Sequence, residues 1–271
     1  MAFHTINGRS VAYRLLGAEV NPLIVLAHPL GMTQAVWDDL LPALLPRYRV
    51  LTWDLPGHGA SAAWPEGNGE ITPASLASEA LALADHAGAS RFHFVGTSIG
   101  GVVGQQLLTA HPERLLSATL TNTGVVIGTA DLWKTRAGRV RQEGLAAMAG
   151  EIVPRWFAPA LVEAQPALAE GWKVQMARTD GESYARLCEM LGRTDFTGKL
   201  AGHDVPVHLL ARAFEVERIG GFLAQVAVLF GHQGQRGLDV AHLAVDLEGQ
   251  PGDGFVKQPF PGVANDAQVM Q

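Results

Sequence analysis

The chain has 271 residues, 48% of them hydrophobic and 17% charged, which is length for about two average domains or one large domain with an insertion, and a composition that excludes an intrinsically disordered protein. With 20 Lys+Arg against 26 Asp+Glu the formal charge is −6, so no nucleic-acid groove or polybasic membrane patch is expected. The single cysteine, Cys188, leaves no internal disulfide to form and reads as a small buried hydrophobe.

Along the chain, Asn7-Gly8 marks a turn before the weakly alternating stretch 11–16, the pattern of an opening hairpin. Leu23-Ile24-Val25-Leu26-Ala27 is a continuous apolar run closed by His28-Pro29-Leu30-Gly31, as suits a strand buried on both faces. A helix is expected over 37–45, stopped by Pro46. The next strand, 50–53, runs into Asp54-Leu55-Pro56-Gly57-His58-Gly59. A helix follows over 71–87, with Thr72 and Pro73 as cap and first-turn residues and Gly88 at its end. Strand 92–95 enters Gly96-Thr97-Ser98-Ile99-Gly100-Gly101, a helix extends to Ala110, and strand 115–120 comes next.

From 128 to 200 the strand signals stop, and Trp133, Trp156, Phe157 and Trp172 fall among helical stretches. Sheet character returns at 205–210. The expected fold class is α/β: a mostly parallel sheet with helices on both faces, residues 1–127 and 201–271 forming the core and 128–200 a helical cap. No stretch is apolar for the ~20 residues that span a bilayer, and no basic-then-apolar leader is seen. A soluble, cytoplasmic protein acting on a small molecule is expected, with no nucleic-acid or membrane partner and nothing that fixes an oligomeric state.

The chemistry centres on Ser98. Gly96-Thr97-Ser98-Ile99-Gly100 is a G-x-S-x-G between a strand and a helix, where a sharp turn lifts the serine hydroxyl to the carboxyl end of the sheet. An acyl-transfer serine needs donors for the oxyanion. The Ile99 N–H is one, and the loop after the earlier strand should supply the other. Pro29 has no N–H, which points to Leu30. His28 and His58 read as loop residues, Asp54 as a carboxylate that binds nearby loop amides, and His93 as a sheet residue. The ten histidines do not cluster with acids at metal spacing, so neither a metal nor a cofactor is expected.

The HPLG loop, the DLPGHG turn, the GTSIGG elbow and the helical insertion together resemble the α/β-hydrolase superfamily. The segments LGMT, TNTGVVIGTADLWKTRAGRVRQEGL and VPRWF further resemble the 3-oxoadipate enol-lactonase family, over roughly residues 1–210. The resemblance implies a serine hydrolase that opens an enol-lactone in the breakdown of aromatic compounds, on a substrate carrying a carboxylate. It also implies a catalytic acid after strand 205–210 and a histidine after the last strand. Aligned so, Glu215 stands where the acid is expected, and His242, 27 residues on, is the expected general base. His232 is the alternative, 17 residues beyond Glu215. Trp133 and Arg136 lie three apart on a helical stretch and share a face; with the carboxylate in view, Arg136 would bind it and Trp133 would form an apolar wall. Trp156 and Phe157 read as cap core.

The tail departs from the family pattern. Arg212 replaces the usual glycine before the acid, no proline follows Glu215, and no Ser or Thr occurs after Thr197. Two further readings therefore stay open: a general carboxylesterase of the same fold, and a non-catalytic protein with a degenerate tail.

Overall fold

The computed structural model describes residues 1–210. Among these residues seven strands form one sheet in the order β1-β2-β4-β3-β5-β6-β7. β1 (Ala2–Ile6) and β2 (Arg9–Leu16) make the expected hairpin. The turn between them is tight because Asn7 and Gly8 both take positive φ, 50° and 76°. β2 pairs antiparallel with β4 (Arg49–Trp53), and from there the sheet is parallel through β3 (Leu23–Ala27), β5 (Phe92–Thr97), β6 (Leu115–Thr121) and β7 (Val207–Leu210).

All five residues of β3 are buried, as an apolar run covered on both sides requires. Helix α2 (Pro73–His86) starts with a capping box, in which the Thr72 side chain accepts from the Ser75 N–H and the Ser75 side chain from the Thr72 N–H. Gly88, at φ 76°, follows its end. Helix α3 (Ile99–Ala110) packs on β5 and β6, and α2 packs on α3. Beneath the hairpin, Arg9 is clamped by Glu79 of α2 at 2.6 Å, both side chains almost wholly buried. Losing either partner of such a pair strands a charge and costs about 3–5 kcal/mol.

The helix expected over 37–45 differs in form. The chain turns as a 3-10 helix over Gln34–Leu40, and only then makes the four-residue α1 (Leu41–Leu44). The early start follows from Thr33, whose hydroxyl accepts the Ala35 N–H, and from Asp54, which holds the Gln34 N–H at 2.8 Å. The break has a local cause too: Pro42 has no N–H to continue an α-helical ladder.

Between β6 and β7 the chain is mostly helical: α4 (Ala130–Glu143), α5 (Leu145–Ile152), α6 (Pro159–Ala164), α7 (Pro166–Ala177) and α8 (Gly181–Arg193). α4 and α8 pack side by side. Arg141 of α4 ties them at the surface by pairing with Glu182 and Glu189 of α8. The start of α8 rests on the loop after β4: the Asp180 N–H donates to the Gly57 carbonyl at 2.8 Å, and the Ser183 hydroxyl accepts the Trp64 N–H at 2.9 Å. Gly57 is required there, since a Cβ on it would stand 2.6 Å from that of Ser183. Among the described residues no helix is long and apolar enough to cross a membrane.

Candidate active site

β5 ends at Thr97 and α3 begins at Ile99, so the whole reversal falls on Ser98. Its backbone stands at φ 55°, ψ −116°, a conformation that costs a side-chain-bearing residue of order 1–3 kcal/mol and persists only when its surroundings hold it. The Ser98 N–H donates to the Thr121 carbonyl at 2.9 Å, and the Thr123 hydroxyl donates to the Ser98 carbonyl at 2.9 Å. The hydroxyls of Thr97 and Thr121 are bonded to each other at 2.6 Å beneath the turn.

The flanking glycines are a packing requirement. A Cβ on Gly96 would collide with the Gly100 carbonyl, and one on Gly100 with the Ala27 carbonyl of β3. The turn thus brings α3 backbone against two strands at once, with no room for a side chain at either position.

Ser98 is half-buried at the carboxyl end of the parallel strands, and its hydroxyl has no hydrogen-bond partner among the described residues. The first amides of α3 lie directly after it and carry the positive end of the helix dipole. Ile99 opens that helix, so its N–H has no acceptor within the helix. In the loop after β3, Pro29 has no N–H and the Gly31 N–H is engaged by Nε2 of His58 at 3.0 Å. The Leu30 N–H donates to no described residue. The two N–H groups expected from the sequence are therefore both unengaged within the described structure.

His28, His58 and Asp54 are wholly occupied in building these loops. Nε2 of His28 accepts the Leu55 N–H at 3.0 Å while its Nδ1 bonds the Pro29 carbonyl at 2.8 Å. The Asp54 carboxylate accepts the Gln34 and Ala60 N–H groups and the Gln34 side-chain amide.

The helices over this end of the sheet present aromatic rings to the loop after β3. Gly31, at φ 83°, has Trp156 and Tyr184 against it: a Cβ there would stand 3.1 Å from the Trp156 ring and 3.4 Å from that of Tyr184. Trp156, expected in the cap core, is only partly buried and faces the loop after β3, while Phe157 is 1% exposed. Neither Trp156 nor Tyr184 carries a local signal for this placement, which depends on how their separate helical segments pack over the loop.

Trp133 and Arg136 do share a face of α4. The guanidinium lies 5.3 Å from the centre of the Trp133 ring, and the indole N–H is used by the Ile127 carbonyl. Arg136 also approaches Tyr184. Burial raises the Tyr184 hydroxyl above its ordinary pKa, and the charge on Arg136 pulls the other way. On the same helix Arg139 is paired with Glu143 and Glu151, and Arg141 with Glu182 and Glu189. Arg136 has no ion pair among the described residues. Cys188 lies buried nearby, its thiol pushed by burial to about 12, and so is inert as a nucleophile at neutral pH.

Glu215, His232 and His242 lie outside the described residues, as does everything expected of the core beyond Leu210. Among the described residues no cluster of His, Cys, Asp and Glu could hold a metal ion.

Comparison with known proteins places this geometry. The α/β-hydrolase-fold family profile matches residues 22–151. The chain is 33% identical to 3-oxoadipate enol-lactonase 2 of Acinetobacter baylyi over 77% of its own length and 78% of that protein's. Among solved structures, an enol-lactonase from Burkholderia xenovorans superimposes with a TM-score of 0.74 at 32% identity, covering 78% of this chain and 80% of the other. A hydrolase from Pseudomonas aeruginosa gives a TM-score of 0.74 at 34% identity, covering 84% and 86%.

Proposed function

The chain belongs to the α/β-hydrolase family, and we propose that within it the protein is a serine hydrolase of carboxylic esters or lactones, with 3-oxoadipate enol-lactone, an intermediate of aromatic-compound breakdown, as its substrate. The observation that carries this reading is Ser98, held at φ 55° on the turn between β5 and α3 with its hydroxyl unengaged by the described residues. A backbone that keeps a strained serine at the end of a parallel sheet is arranged to present a nucleophile.

In the proposed reaction the Ser98 oxygen attacks the lactone carbonyl carbon as His242 takes its proton, and the Leu30 and Ile99 N–H groups receive the oxyanion. The ring C–O bond then breaks, and the proton passes from His242 to the departing enol oxygen. Water attacks the acyl-enzyme with His242 again as base, releasing the acid and returning the proton to Ser98. Glu215 orients the imidazole throughout.

Arg136 supports the lactone over a generic ester. Its guanidinium is backed by Trp133 and faces no carboxylate of the described chain, as a group reserved for the carboxylate of a substrate would be. Arg136→Ala should lower kcat/KM on a carboxylate-bearing lactone by roughly ten- to a hundredfold, the scale of a charge-assisted hydrogen bond of about 1.5–3 kcal/mol. Turnover of a neutral phenyl ester by the same variant should change far less. Equal losses on both substrates would assign Arg136 to holding α4 against α8, and the function to a general carboxylesterase.

A further inference from the structure

The two loops beside the nucleophile are tied to each other by a reciprocal pair of buried histidines. His28, in the loop after β3, accepts the N–H of Leu55 in the loop after β4 at 3.0 Å. His58, in the loop after β4, accepts the N–H of Gly31 in the loop after β3 at 3.0 Å. Each ring is anchored in its own loop through Nδ1, His28 to the Pro29 carbonyl and His58 to the Pro56 carbonyl, both at 2.8 Å. The rings lie 5.5 Å apart and both are fully buried.

Both exchanges require the same state: a neutral imidazole with its proton on Nδ1, so that Nε2 is an acceptor. Burial favours that state, lowering His28 to about 4 and His58 to about 3, with the neighbouring His28 adding to the effect on His58. Across the pH range in which esters are turned over the brace therefore does not titrate. His58 is also gripped from above. The Tyr184 ring stacks on it at 6.2 Å with a 21° tilt, and the neighbouring Gly57 carbonyl takes the Asp180 N–H at the head of α8.

We propose that His58 is a positioning residue: by accepting the Gly31 N–H it fixes the Leu30–Gly31 turn, and so aims the Leu30 N–H at the place where the oxyanion forms. This rests on the serine-hydrolase reading. The reasoning is geometric. Pro29 contributes no donor, and Gly31, at φ 83°, has no Cβ to bias its backbone toward this one conformation. The turn is closed by the Met32 N–H on the Pro29 carbonyl at 3.2 Å, and His28 holds that same carbonyl. Among the described residues the His58 bond adds the one tie on the Leu30–Gly31 peptide. Its loss lets that peptide tilt and carries the adjoining Leu30 N–H off the alignment on which an oxyanion donor depends.

Two isosteric variants separate the two ties that His58 makes. His58→Gln can place its side-chain oxygen near the position of Nε2 and keep the Gly31 N–H. His58→Asn reaches only the Nδ1 position, keeping Pro56 and losing Gly31. His58→Asn should lower kcat on a phenyl ester by about 10- to 1000-fold, up to the scale of a lost oxyanion donor, with KM within about threefold. His58→Gln should recover to within about tenfold of the wild type. Amide hydrogen exchange is read alongside: the Gly31 N–H should exchange at least roughly tenfold faster in His58→Asn than in His58→Gln. Equal kcat in the two variants beside an active wild type overturns the positioning role, as does equal Gly31 exchange. A wild type that turns over no ester removes the hydrolase reading, and the exchange comparison still decides whether His58 holds the loop.

Discussion

Ser98→Ala should reduce ester and lactone turnover by about a millionfold, the scale on which a triad enzyme loses rate with its nucleophile. The size follows from what remains. Without the Ser98 oxygen there is no covalent intermediate, and the Leu30 and Ile99 N–H groups and the substrate pocket can assist only direct attack by water. Alanine adopts φ 55° no more readily than serine, and the main-chain bonds of residue 98 to Thr121, Thr123 and Val102 involve no side-chain atom of residue 98. The variant should accordingly keep its far-ultraviolet circular dichroism and its urea midpoint. Steady-state kinetics on a phenyl ester, with those two controls, check it. Turnover within tenfold of wild type would place the nucleophile elsewhere.

His242→Ala should lower the acylation rate by several orders of magnitude, because an unassisted serine hydroxyl is a poor nucleophile at neutral pH. Combining it with Ser98→Ala should cost little beyond either change alone, since members of a triad act as a unit and their losses do not add. His232→Ala should leave most activity intact. Stopped-flow acylation by a chromogenic ester distinguishes the three. If His232→Ala abolishes the burst and His242→Ala does not, the base is His232, 17 residues beyond Glu215 rather than 27.

What could be read in advance was local. The apolar run of β3, the Asn7-Gly8 turn, the Thr72 cap and the G-x-S-x-G each place their own signal within a few residues, and the structure has the corresponding elements. Where the signal was shared with distant residues, reading stopped short. The 3-10 turn over Gln34–Leu40 depends on Asp54, 20 positions away from Gln34. β7 starts at Val207 rather than 205, since Pro206 has no N–H to give a ladder. His28 and His58 could each be assigned to a loop, but their exchange of partners joins segments 27 residues apart and leaves no pattern in either. In sequence Trp156 has the character of any cap aromatic, and its place against Gly31 is a property of the tertiary packing alone. Arg136 is marked by its spacing from Trp133 and by the family resemblance; that Arg141 is neutralised by Glu182 and Glu189 of α8 and Arg139 by Glu143 and Glu151 of α4 and α5, while Arg136 has no ion pair among the described residues, emerges only from how these helices pack.

The central claim is that Ser98 is an activated nucleophile, and covalent labelling measures it most directly. A fluorophosphonate should add one equivalent to the wild-type protein by intact mass, with the modified peptide carrying the adduct on Ser98, because the oxyanion donors and the base that activate the serine toward an ester also activate it toward phosphorus. Ser98→Ala should take up none. A folded wild-type protein that remains unlabelled at Ser98 after prolonged exposure would contradict the account, leaving a fold of the hydrolase family without its chemistry.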